Sequence, residues 1–102
     1  MSTLHIEHAI SDFGTWQAAF ARLAPARERA GVISHRVSRP AGEPGYVIID
    51  LDFASMAEAE MFLAFLHDTV WSSAASAPAL AGRPLTRLQE IEMAAASPAG
   101  RG

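Results

Sequence analysis

Hydrophobic and polar positions alternate most clearly in Tyr46-Val47-Ile48-Ile49-Asp50-Leu51-Asp52-Phe53. This pattern predicts a strand with two different faces, because side chains alternate along an extended chain. Val47, Ile49, Leu51 and Phe53 form a wholly apolar face that needs a core. Tyr46, Ile48, Asp50 and Asp52 form the other, where two carboxylates sit among apolar neighbours.

The same period runs through Thr3 to Ile10, where Leu4, Ile6, His8 and Ile10 alternate with His5, Glu7 and Ala9. Asp12 then suits a helix N-cap, and Phe13, Trp16, Phe20 and Leu23 recur at helical spacing. Pro25 is expected to end or kink that helix, and Arg27-Glu28-Arg29 to add a turn capped by Gly31. Val32 to Arg39 reads as an edge strand. The Pro40-to-Gly45 turn joins it to the Tyr46 strand as an antiparallel hairpin. Ser55-Met56-Ala57-Glu58 is a capping-box pattern opening a helix to about Thr69, with Ala59, Phe62, Leu66 and Val70 on one stripe. Ser72 to Gly82 reads as loop and Arg83 to Met93 as the last strand. Residues 94–102 read as a disordered tail after a single domain spanning 1–93.

The order strand, helix, strand, strand, helix, strand predicts an α+β, ferredoxin-like fold. Its four-stranded antiparallel sheet carries both helices on one face. The other face is left uncovered. Ile48, Tyr46, Ala9 and Leu85 or Leu88 make it too apolar for water, so a second copy across a two-fold axis is the expected partner.

Composition narrows the function classes. At 102 residues and a formal net charge of -3, the chain suits one soluble domain. No basic tract points to nucleic acid, and no apolar run is long enough for a membrane. No secretory signal is visible at the amino terminus, so a cytoplasmic location is the default expectation. There is no cysteine, which excludes thiolate chemistry, and no lysine, which excludes a Schiff-base lysine.

Candidate chemistry rests on the hairpin register. A symmetric hairpin sets His35 opposite Asp50, Val37 opposite Ile48 and Arg39 opposite Tyr46, making His35 and Asp50 the candidate acid–base pair. A bulge would flip this phase. His5, Glu7 and Asp52 join them on the uncovered face, and with Trp71 and His67 they are the candidate ligand-pocket residues. The cluster could instead be a purely structural set of salt bridges, or bind a divalent metal; no metal or other cofactor is the favoured expectation. His8 and Trp16 read as core, the histidine with its polar groups satisfied. Arg83 and Arg87 could bind an anion or pair with Glu90 or Glu92. No nucleotide loop, HExxH, Gly-x-Ser-x-Gly or EF-hand pattern occurs.

Over residues 3 to 93 the chain resembles the dimeric α/β-barrel superfamily. The resemblance is carried by the His5-to-Ile10 strand leading to Asp12-Phe13-Gly14-Thr15-Trp16 and by Ala30-Gly31-Val32. The Tyr46-to-Phe53 strand, followed by the Ala59-to-Phe65 helix, completes it. The resemblance implies a dimer whose two sheets face each other. It brings in cofactor-independent monooxygenases of antibiotic biosynthesis, haem-degrading enzymes, lactone isomerases and polyketide cyclases. The haem-degrading members use an Asn on the first strand and a haem-ligating His after a Trp. Here Glu7 and His8 stand on that strand, and no histidine follows Trp71, which counts against haem. What the resemblance implies is a small-molecule pocket between sheet and helices, with Trp71 as a wall. It acts without a cofactor on an aromatic or polyketide-like substrate, or merely binds a ligand. Fold alone does not choose between these.

Overall fold

The computed structural model describes residues 1–95; the rest of the expected tail, 96–102, lies outside the described residues. Strand β1 (Ser2–Ile10) leads to helix α1 (Phe13–Arg22), helix α2 (Ala24–Ala30), β2 (Val32–Ser38), β3 (Tyr46–Phe53), α3 (Met56–Phe65) and β4 (Leu80–Glu90). The strands form one antiparallel sheet in the order β2-β3-β1-β4. This is the ferredoxin-like arrangement, with β1 and β3 central.

Local chemistry explains the helix limits. Asp12 accepts from the Thr15 amide at 2.8 Å and caps α1. Pro25 falls at the start of α2, where its missing N–H costs nothing, so the chain breaks into two helices there. Gly31 ends α2 at φ 92°, a left-handed conformation that favours glycine. A Cβ at Gly31 would also collide with the Glu58 carboxylate. Ser55 caps α3 by accepting from the Glu58 amide at 3.3 Å.

The core lies between the sheet and the helices. Leu4, Ile6 and Ile10 from β1 and Val47, Ile49, Leu51 and Phe53 from β3 pack against Trp16, Ala59, Phe62, Leu66 and Val70. All helical members therefore cover the same sheet face. The last apolar positions of the α3 stripe are not α-helical: Leu66–Val70 forms a π turn, closed by the Trp71 amide on the Leu66 carbonyl at 2.7 Å. Such a turn holds one residue more than an α turn and is frequent at functional sites.

Two bulges set the register of the edge strands. In β2, Val32 lies opposite Phe53 but Ser34 lies opposite Asp52, leaving Ile33 extra. His35 therefore faces Leu51, and Arg36 faces Asp50. The expected pairing of His35 with Asp50 is corrected: the two side chains are on opposite faces of the sheet. Val37 and Arg39 are likewise displaced from their expected partners, Val37 lying opposite Ile49. In β4, Leu85 lies opposite Glu7 whereas Ala81 lies opposite Ala9. Gly82, at φ 78°, sits inside that irregularity, and Pro84 is tolerated because β4 is an edge strand.

Candidate functional site

Two sites lie back to back on β1. On the uncovered face, the His5 ring is held at both ends. Nδ1 lies 2.7 Å from an Asp50 oxygen and Nε2 lies 2.7 Å from a Glu7 oxygen. Ionised carboxylates only accept hydrogen bonds, so both ring nitrogens donate and His5 is an imidazolium. The Glu7 bond is the main cause of its raised pKa. Reciprocally, His5 first and the Tyr46 hydroxyl second hold the Glu7 carboxyl below its usual range. Tyr46 donates to Glu7 at 2.9 Å. Beside this network, Asp52 accepts from Thr3 at 2.6 Å and from Ser34 at 2.9 Å.

The structure thus brings together His5, Glu7, Asp50 and Asp52, as alternation along β1 and β3 predicts. It adds Thr3, Ser34 and Tyr46, sets the exposed Arg36 opposite Asp50 in register, and removes His35, whose ring sits instead 5.4 Å from that of Phe20. Thr3 and Tyr46 share the parity of their network partners, so that signal was available. Ser34 and Arg36 needed the bulge. A histidine already protonated and doubly bonded is a poor proton acceptor, so this face has the chemistry of a satisfied polar lattice. Among the described residues no three metal-ligating side chains are arranged to hold an ion. Arg83 and Arg87 form no ion pair with Glu90 or Glu92 among the described residues; Arg87 lies opposite His5 and acts on Glu7 through its charge.

On the other face a cavity of about 70 Å³ opens between sheet and helices. Its walls include Ile6, Trp16, Phe20, Phe62 and Trp71, with the Ser76-to-Leu80 segment at one side. Trp71 is the one residue of the expected ligand pocket found here. His5, Glu7 and Asp52 cannot line this cavity, because they project from the opposite side of the sheet. His67 stands behind Trp71, edge-on to its ring at 5.0 Å.

Sequence reasoning missed two residues of this cavity. His8 was expected to be a satisfied core residue. It is buried, but it lines the cavity. Its Nδ1 donates to the Ala9 carbonyl at 2.8 Å, which can only accept. Burial pushes the ring below its ordinary pKa, with the carbonyl bond opposing. His8 is therefore neutral, with the proton on Nδ1 and a lone pair on Nε2. No partner among the described residues takes that lone pair. Arg27, the second, is 8% exposed, although its position on a short helix between other charges suggests a solvated residue. It donates to the Phe20 carbonyl at 2.7 Å and lies over the Phe20 ring at 3.7 Å. Its signal was a four-residue step from Leu23.

Comparisons with solved structures agree on the architecture. A Deinococcus radiodurans protein assigned to the antibiotic biosynthesis monooxygenases aligns with a TM-score of 0.71 at 16% identity, covering 95% of this chain and 98% of that one. A dimeric ferredoxin-like protein from an uncultured marine organism aligns with a TM-score of 0.66 at 17% identity, covering 92% and 96%. A Nitrosomonas europaea protein of unknown function aligns with a TM-score of 0.62 at 21% identity, covering 97% and 95%. No family model matches this chain, and no curated protein sequence matches it. The chain has the fold of the dimeric ferredoxin-like and monooxygenase-like proteins. Identities this low establish the fold alone. No helix among the described residues is long and apolar enough to cross a membrane.

Proposed function

We propose that this protein is a homodimer in which each subunit binds one small, largely apolar molecule between sheet and helices, and that His8 accepts a proton from it. The observation that carries the reading is the state of His8: buried, its tautomer fixed by the Ala9 carbonyl, its pKa lowered by burial, in the wall of a cavity whose other polar residues are Arg27 and Ser76. A neutral imidazole with an oriented lone pair is a general base. It would take a proton from an acidic C–H or O–H and become an imidazolium, leaving the substrate a carbanion or phenolate. That first step suits a cofactor-independent oxygenation, cyclisation or isomerisation of an aromatic or polyketide-like molecule. Trp16, Phe20 and Trp71 supply the aromatic walls such a molecule would need.

The dimer follows from the uncovered face. Leu85 is 48% exposed there, Tyr46 and Ile48 are half-buried, and the carboxylates beside them are already paired. A second copy on this face would also have to offer acceptors to Arg36 and Arg87, which have no ion pair among the described residues. The marine ferredoxin-like protein is described as dimeric, which supports a dimer without saying which face forms it.

Titration of the wild-type protein with phenol, followed by the His8 ring and Trp71 indole resonances, tests the pocket. Both should shift while the His5 ring does not. Long-range proton–nitrogen spectra should find the His8 proton on Nδ1. Phenol that leaves both residues unmoved, or a His8 protonated at neutral pH, overturns the reading.

A further inference from the structure

Arg27 is a buried cation with no counterion among the described residues. Its side chain lines the cavity, and no acidic side chain does. The ion pairs of the described residues involve only His5 with Glu7 and Asp50. Burial lowers the pKa of the guanidinium, but an arginine stays charged in a protein. Its known partners are one carbonyl and one ring face, both of Phe20. Stacking on the ring uses the flat face of the guanidinium and leaves its edge free. One N–H goes to the Phe20 carbonyl; the others of the planar fork have no acceptor among the described residues. No fully buried side-chain nitrogen lacks a partner among the described residues, so these N–H groups keep accessible surface on which an acceptor can sit.

We propose that the cavity is an anion site, and that its ligand is a small carboxylate on an apolar, preferably aromatic, body, with Arg27 as its counterion. This rests on the cavity being a small-molecule pocket. The free edge of the guanidinium matches a carboxylate, two parallel N–H groups to two oxygens, better than it matches a single carbonyl. Phe20 holds the fork from behind, and Trp16 stacks on Phe20 with ring centroids 5.0 Å apart, so the group is fixed before a ligand arrives. Apart from His8 and Ser76 the rest of the wall is apolar, which admits a hydrocarbon body and gives a second negative charge no cation. With the carboxylate anchored on Arg27, the acidic position of the same molecule is left for the neutral His8. Arg27 thus sets specificity, and His8 does the chemistry.

Benzoate and its neutral analogue benzamide separate the charge from the ring. Calorimetric titration of wild-type protein should find benzoate bound about tenfold or more tighter than benzamide. Arg27→Met, which keeps an unbranched side chain of similar reach, should bring the ratio to about one. Arg27→Lys should fall between, because it keeps the charge without the fork. Equal affinity of the two probes for the wild type, or a preference that survives Arg27→Met, overturns the assignment of Arg27 and leaves the pocket reading standing. Binding of neither probe, with phenol also inert, overturns both. If Arg27→Met does not fold, the wild-type ratio and the lysine variant still decide.

Discussion

Asp50 accepts a hydrogen bond from Nδ1 of His5 at 2.7 Å across the two central strands, while Nε2 of the same ring is held by Glu7. The raised pKa that results has a definite sign for stability. The contribution is fully present below the ordinary histidine value of 6.5 and is lost as pH rises through the folded value. His5→Gln should cost about 1 kcal/mol at pH 6 and less at pH 9. Urea midpoints of the two proteins across that range should converge on the alkaline side.

His8 works in the opposite direction. Its folded pKa lies below 6.5, so its contribution is present above 6.5 and is lost as pH falls through the folded value. The wild type should lose stability on acidification in this range, and His8→Gln should lose less. A proton titration of the two rings would find His8 below 6.5 and His5 above it. The order reversed would contradict the hydrogen-bond roles assigned to both.

Assembly should be sensitive to Ile48. It lies on the uncovered face, opposite Glu7 and Ser38. Ile48→Asp would place an unpaired carboxylate in the contact between copies. Sedimentation should show the dimer weakened more than tenfold, about 1.4 kcal/mol or more, with helical circular dichroism retained. A dimer of unchanged strength would mean that copies meet elsewhere.

Gly31→Ala combines two penalties. A left-handed alanine costs about 1–2 kcal/mol, and its Cβ meets the Glu58 carboxylate. Adding Glu58→Ala should recover the collision and leave the backbone cost, a non-additivity that a double-mutant cycle in urea can read. Strict additivity would show that Glu58 simply swings aside.

How much of this was legible in the sequence depended on the strand. In β1 and β3 every buried residue except Thr3 falls on one parity, so the faces of His5, Glu7, Asp50 and Asp52 could be read directly. In β2 the alternation is broken. Val32 and Val37 are five apart and so of opposite parity, yet both lie opposite core-facing residues of β3. Only an inserted residue reconciles them, and that pair of valines was the available signal for the bulge at Ile33. Missing it moved His35 to the wrong face. The cavity was harder to see. Two of its polar residues look ordinary in sequence: His8 like any core position of β1, Arg27 like one charge among several on a short helix. What distinguishes them is the void beside them, which depends on how Trp71 and the Ser76-to-Leu80 segment come to rest.

Trp71 owes its position to a count. Each residue advances a helix by about 100°, so the extra residue held in Leu66–Val70 decides the direction in which the indole leaves the backbone. Deleting a single residue from that stretch would swing the ring roughly a quarter-turn out of the wall. The bore of the pocket can thus be reset by chain length as well as by residue identity, a coarse dial through which one scaffold could come to accept guests of different girth.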